Sequence, residues 1–241
     1  DLHYPLRRQR QMCIRDRFYM NMNMPLDKLN RPVKDLRISV TDRCNFRCTY
    51  CMPKEVYGES FKFLPKEELL DFDEIFRISE CFAKLGVNKI RLTGGEPLVR
   101  RNIDQLIRKL STIDEIDDIA MTTNAYLLES KLDALIDAGL KRLTVSLDSI
   151  DDKTFKKMSG QDFDVNKVLS AINQANKKGF KKIKINCVIQ KNVNEHSILD
   201  LLDYFRDSGN IVRFIEYMDV GNLNGWELRD VLSITEILKI I

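Results

Sequence analysis

Asp35-Leu36-Arg37-Ile38-Ser39-Val40-Thr41-Asp42-Arg43-Cys44-Asn45-Phe46-Arg47-Cys48-Thr49-Tyr50-Cys51 is the stretch whose reading decides the fold. Its first half alternates apolar Leu36, Ile38 and Val40 with polar Arg37, Ser39 and Thr41. That is the two-residue period of a half-buried strand. Its second half carries cysteines at C-x3-C-x2-C spacing. Thiolate sulfur is a soft ligand suited to iron–sulfur clusters, zinc or Cu(I). A structural zinc site closes with four ligands. Three local cysteines with no obvious fourth leave a corner open, and a 4Fe–4S cluster so held keeps one iron free for a small molecule. A zinc knuckle with a distant fourth ligand and three unrelated buried thiols are the alternatives at this point.

Outward from that stretch, strand-like runs alternate with helical ones. Strands are expected over residues 36–40, 89–93, 119–123, 142–147, 182–189 and 211–217. Amphipathic helices are expected over 66–85, 103–110, 127–138, 165–178 and 195–207, with Gly86, Gly139, Gly179 and Gly209 at helix ends. Strand–helix alternation implies a parallel sheet with right-handed crossovers. The fold class is therefore α/β, either an open, partial (β/α)6 TIM-like barrel or a doubly wound sheet. No G-x-G-x-x-G opens the first βα turn, which weakens the second option.

The strand faces sharpen this choice. Buried parallel strands normally read as continuous apolar runs. Here Ile90 and Leu92 alternate with Arg91 and Thr93, Leu143, Val145 and Leu147 with Thr144, Ser146 and Asp148, and Ile183, Ile185, Cys187 and Ile189 with Lys184, Asn186 and Gln190. The apolar face should carry the helices. The other suggests a wide, open barrel with a polar lumen, whereas closed eight-stranded barrels are packed with branched apolar residues. The last strand is less clear, because Val212 and Phe214 share a face with Glu216 and Met218. Barrel active sites form at the C-terminal strand ends. The cysteine loop, Gly94-Gly95-Glu96-Pro97, Thr122 to Asn124, Ser146 with Asp148, and Met218 with Asp219 all fall on that rim.

The chain has 241 residues, enough for a substantial core. With 44% hydrophobic and 31% charged residues it reads as globular. A net charge of +3 does not argue for nucleic acid, although a local basic patch can hold phosphate. No apolar run approaches the roughly 18 residues of a membrane span, and no secretory signal is evident. Six cysteines, three of them clustered, fit a reducing cytoplasm and a metal site better than a disulfide scaffold. Cys81, in a helical pattern, and Cys187, on an apolar strand face, read as structural thiols. Residues 1–24 are rich in Arg and Gln without periodicity and are expected to be a disordered or non-native leader, which excludes Cys13 from the site.

The cysteine spacing, Tyr50 before the last cysteine and Gly94-Gly95-Glu96-Pro97 resemble the radical SAM superfamily. Three longer stretches narrow the resemblance: Asp35 to Cys44 with Met52-Pro53, Arg91 to Leu98, and Phe214-Ile215-Glu216-Tyr217-Met218-Asp219-Val220-Gly221. Together they resemble the GTP 3′,8-cyclase family of molybdenum cofactor (molybdopterin) biosynthesis. The likeness runs from about Leu26 onward, so residues 25–241 are expected to form one radical SAM partial barrel. Another radical SAM maturase and a non-enzymatic cysteine metal-binding module are the competing readings.

The resemblance implies a lyase converting GTP to (8S)-3′,8-cyclo-7,8-dihydroguanosine 5′-triphosphate. It implies that Cys44, Cys48 and Cys51 hold a 4Fe–4S cluster whose remaining iron binds S-adenosyl-L-methionine. Tyr50, Gly95, Ser146 and Met218 match the family's positions for that cofactor, and Arg37, Arg91, Thr122 and Lys184 match its GTP-contacting positions. The two glycines let backbone approach the methionine end, and Glu96 or backbone carbonyls accept from its ammonium. Three of the GTP positions are cations on polar strand faces, which suits a triphosphate. A reductant for the cluster and the next enzyme of the molybdopterin pathway are the implied partners, and a homodimer is compatible with the family. The family also carries a second 4Fe–4S cluster, whose ligands are absent here; the chain is therefore expected to be C-terminally truncated and unable to position GTP for the full reaction.

Overall fold

A computed structural model describes residues 24–221 and 225–241. The expected leader lies outside the described residues, apart from Met24 at its end. Six strands form one sheet: β1 (Asp35–Ser39), β2 (Lys89–Thr93), β3 (Asp118–Thr123), β4 (Arg142–Ser146), β5 (Lys184–Ile189) and β6 (Ile211–Glu216). Every neighbouring pair is parallel and the spatial order is the chain order. Each new strand adds to the same edge. A doubly wound sheet would reverse direction at a switch point, so the architecture is the open (β/α)6 partial barrel.

The helices are α1 (Phe72–Lys84), α2 (Ile103–Leu110), α3 (Leu132–Asp137), α4 (Asp152–Ser159), α5 (Val165–Lys177), α6 (Ser197–Phe205) and α7 (Ile234–Ile240). Their apolar sides meet the apolar sheet face. Ile90, Leu92, Met121, Val145, Ile185 and Ile189 from the strands and Leu106, Leu110, Leu135, Ile172 and Leu201 from the helices are all buried in one core. The lumen face of the central strands is covered as well, because Ala120 and Thr144 are also buried. The edge strands β1 and β6 are more open.

Local chemistry moves several expected boundaries. The helix expected over 66–85 breaks into a short 3-10 turn (Lys66–Glu68) and α1. Asp71 accepts from Glu74 N at 2.7 Å while Glu74 accepts from Asp71 N at 2.8 Å, so this capping box starts the helix at Phe72. The helix expected over 127–138 likewise divides into a 3-10 turn (Glu129–Lys131) and α3. Strand β5 starts two residues later than expected, since Lys182 has a positive φ of 55° that no strand accepts. Helix α4 was not expected at all. Asp151 caps it by accepting from Thr154 N at 2.8 Å, and a left-handed Gly160 ends it.

Candidate active site

The cysteine loop leaves β1 and is fastened at once to the turn after β2. Gly95 N donates to Thr41 O at 2.7 Å and Glu96 N to Arg43 O at 2.8 Å. A Cβ on Gly95 would lie 2.3 Å from Arg43 O, and one on Gly94 would lie 2.5 Å from Thr41 O. The glycines are therefore demanded by the cysteine loop's own backbone, whatever they also offer a ligand. Within the loop, Cys51 N and Met52 N both donate to Cys48 O, at 3.0 and 2.9 Å. The Arg47 guanidinium donates to Cys44 O, Phe46 O and Tyr57 O, each at 2.7 Å. Phe46 packs into an aromatic group with Tyr126, Phe155 and Phe163.

Cys44 and Cys48 are partly buried and Cys51 is exposed. Burial pushes the Cys44 thiol up to about 11 and the Cys48 thiol well above its ordinary value, and it raises Cys51. Thiolates form there only with a compensating positive centre. Phe46 N donates to Cys44 Sγ at 3.4 Å, and Asn124 Nδ2 approaches it at 3.9 Å while also donating to Asn45 Oδ1 at 2.8 Å. Among the described residues, no three His, Cys, Asp or Glu side chains are placed to share one metal ion. A cluster asks for a different geometry, with each thiolate on its own iron.

Two buried carboxylates brace this loop against the rim. Tyr50 Oη donates to Asp148 Oδ2 at 2.8 Å, and Val188 N donates to Asp148 Oδ1 at 2.9 Å. Burial lifts the Asp148 carboxyl to about 6, against the pull of those two bonds. Glu96 is 1% exposed and accepts from Thr123 Oγ1 at 2.6 Å, Asn124 N at 2.7 Å and Leu98 N at 3.0 Å. Burial raises it to about 7. Its carboxylate ties the β2 turn to the end of β3. Its Oε1 takes two of these bonds and its Oε2 one, so Glu96 keeps acceptor capacity beside the backbone carbonyls.

A cavity of about 220 Å³ is lined by Cys44, Cys48, Cys51, Tyr50, Gly95, Thr122 and Ser146, together with Glu96, Asn124 and Asp148. The structure thus unites seven of the eleven sequence-derived site residues. A second cavity of about 610 Å³ borders the same loop, with Tyr57, Phe61 and Phe63 among its walls. Met218 lines neither. It lies just beyond β6, is 53% exposed, and by strand parity continues the Val212, Phe214 and Glu216 face.

Strand register places the remaining three. Arg37 is the register partner of Arg91, and that row continues through Ala120 to Arg142. Thr122, Thr144 and Lys184 form the next row, and Ser146, Asn186 and Arg213 the one nearest the rim. Arg213 escaped the sequence reading, although Ile211, Arg213, Ile215 and Tyr217 alternate on the polar face once register with β5 is known. It donates from Nε to Asn186 Oδ1 at 2.9 Å. Burial depresses Lys184, and so do the charges of Arg213, Arg142 and Arg91. Among the described residues, only Arg142 of this group has a carboxylate partner, Asp118. Cys187 is buried as expected, whereas Cys81 is exposed on α1.

Comparison with known proteins agrees with this geometry. Residues 38–205 match the family model of the radical SAM superfamily. A GTP 3′,8-cyclase from Staphylococcus aureus strain JH9 is 54% identical over 215 residues, covering 89% of this chain and 63% of that protein. The protein of the same name from Staphylococcus haemolyticus is 53% identical over the same shares. The chain thus spans about 63% of the length of the curated relatives it matches. Streptococcus suis SuiB bound to S-adenosylmethionine superposes with a TM-score of 0.64 at 21% identity, over 80% of this chain and 43% of that one, a likeness of fold. The three cysteines, the glycine turn, four of the six strands and the end of β1 fall inside the matched range, and the chain belongs to the radical SAM superfamily.

Proposed function

We propose that this chain carries the catalytic barrel of a GTP 3′,8-cyclase, a lyase of molybdenum cofactor biosynthesis. The observation that carries this reading is the convergence of Arg91, Lys184 and Arg213 on the lumen face below the cysteine loop. Like charges held together in a partly buried lumen repel one another, and a multiply charged anion relieves that repulsion. A nucleoside triphosphate brings such charge, and relatives at 54% identity bear the cyclase name.

The donor set fits a 4Fe–4S cluster on Cys44, Cys48 and Cys51. When bound, it supplies the electron that breaks a carbon–sulfur bond of S-adenosylmethionine, so that a ribose hydrogen of GTP is abstracted. The chain's own residues position and shield. Glu96 and the backbone carbonyls of the Gly94–Gly95 turn, all at the cavity wall, are the acceptors for the cofactor's ammonium. Tyr50, held by Asp148, and Ser146 line the same cavity. Arg37, Arg91 and Lys184 hold the triphosphate, the arginines by paired N–H donors and the lysine as a point charge. Thr122, between the cysteine loop and Lys184, contacts the nucleoside. Met218 matches a cofactor position by resemblance alone, since it stands at the end of β6 outside both cavities. The cytoplasm is the compartment, with a reductant for the cluster, the next molybdopterin enzyme and a second copy of the chain as partners.

The test is 5′-deoxyadenosine release after anaerobic iron–sulfide reconstitution, with dithionite and S-adenosylmethionine, with and without GTP. Release stimulated by GTP supports the reading. No release from folded, iron-loaded protein overturns it.

A further inference from the structure

We infer that the C-terminal end of helix α4, closed by Gly160, is the mould that sets the shape of the cysteine loop, and that Gly160 is a positioning residue for the three thiols. This inference rests on the cluster reading above for its consequence, but on geometry for its substance.

Four observations converge. Arg47 N donates to Ser159 O at 2.8 Å and Thr49 N donates to Met158 O at 3.1 Å. These donors flank Cys48, and the acceptors are last-turn carbonyls that an α-helix leaves without partners of its own. The loop between Cys44 and Cys51 therefore completes the end of α4 instead of solvent. Phe46 meets Phe155 of the same helix edge-on, with centroids 5.8 Å apart and planes at 78°. Finally, Gly160 has φ +63°, and a Cβ there would stand 2.1 Å from Arg47 O, 2.9 Å from Arg47 C and 3.1 Å from Arg47 Cβ. Backbone fills the space a side chain would need. Any residue but glycine must push Arg47 away and open the two bonds that flank Cys48.

The side chain of Arg47 carries the constraint onward. Its guanidinium holds Cys44 O and Phe46 O, so a displaced Arg47 disturbs Cys44 as well as the adjoining Cys48. A cluster tolerates little of this, because its sulfur ligands must meet fixed iron positions. The helix enters the site through its backbone terminus, which is why no side-chain motif in the sequence announces it.

The experiment compares Gly160→Ala, Gly160→Asn and a control, Gly209→Ala. Gly209 also has a positive φ, +74°, but a Cβ there meets nothing within 4 Å. Asn accepts the left-handed conformation readily and Ala does not. If φ alone matters, Asn restores the parent behaviour; if the approach to Arg47 matters, it does not. Two readings are taken: hydrogen exchange of the peptide bearing the Arg47 and Thr49 amides in metal-free protein, and iron and acid-labile sulfide bound after anaerobic reconstitution.

In both Gly160 variants we expect exchange about tenfold faster or more and iron uptake below half of the parent's, with Gly209→Ala at parent values in both. Parent-like protection and uptake in Gly160→Ala, or rescue by Asn, overturns the proposal. If Gly160→Ala does not fold, Phe155→Leu replaces it, and parent-like exchange and uptake in that variant overturns the proposal equally. If the parent binds no iron while its amides are protected, the cluster reading has failed, and the exchange comparison alone still decides whether α4 moulds the loop.

Discussion

Tyr50 Oη donates to Asp148 Oδ2 at 2.8 Å across 98 positions of sequence, and this bond joins the cysteine loop to the end of β4. Asp148 in turn accepts from Val188 N, so one carboxylate fastens the cysteine loop, the end of β4 and β5. Replacing Tyr50 with Phe keeps the ring and removes the donor, which leaves a buried carboxylate oxygen short of a partner. The expected loss is about 1–3 kcal/mol, read as a lower midpoint in urea unfolding. An unchanged midpoint means that the bond adds nothing to stability.

Glu96 gives the metal-free protein a definite pH response. Its carboxyl rises from 4.5 to about 7 because burial disfavours the charged form. The folded state then binds a proton more tightly than the unfolded state does. The contribution of this group is therefore fully present below about 4.5 and is lost as pH rises toward 7, on the order of 3 kcal/mol. Asp148, raised from 3.8 to about 6, adds a slope of the same sign. Unfolding free energies measured across this window should fall, and Glu96→Gln should flatten the fall. A rise with pH, or an unaltered slope in the variant, contradicts the assignment.

The proposed cyclase reading assigns the lumen cations to the triphosphate of GTP. Arg91→Ala and Lys184→Ala should each weaken GTP roughly tenfold to a hundredfold, the range for losing a hydrogen bond between charged groups. Raising the salt concentration should narrow the gap between variant and parent. Calorimetric titration of GTP at two ionic strengths tests this, and equal affinity in the variants places the triphosphate elsewhere.

Cysteine exchanges separate ligands from bystanders. Cys44→Ser, Cys48→Ser and Cys51→Ser should each abolish the absorbance near 400 nm and most of the bound iron, since hydroxyl is a poor ligand for this chemistry. Cys81→Ser, on the exposed side of α1, should leave both intact. Retained iron in any of the first three exchanges removes that residue from the ligand set.

The sequence by itself determined much of this protein. Alternating Leu36, Ile38 and Val40, repeated in later strands, specified a sheet with one polar face, because side chains on a strand alternate sides regardless of context. The C-x3-C-x2-C spacing put three cysteines in one loop after β1, and all three line one cavity. Strand ends named the rim residues, since parallel strands must all finish on one side.

Tertiary structure decided the rest. Arg213 joined Arg91 and Lys184 only through the register of β6 against β5, and a one-residue slip would have turned it outward. Met218, named from sequence, stands outside both cavities because the chain leaves the strand before reaching it. Helix α4 and its hold on Arg47 and Thr49 were invisible in sequence. They act through backbone donors and acceptors, which every residue carries alike, and only folding selects which of them meet.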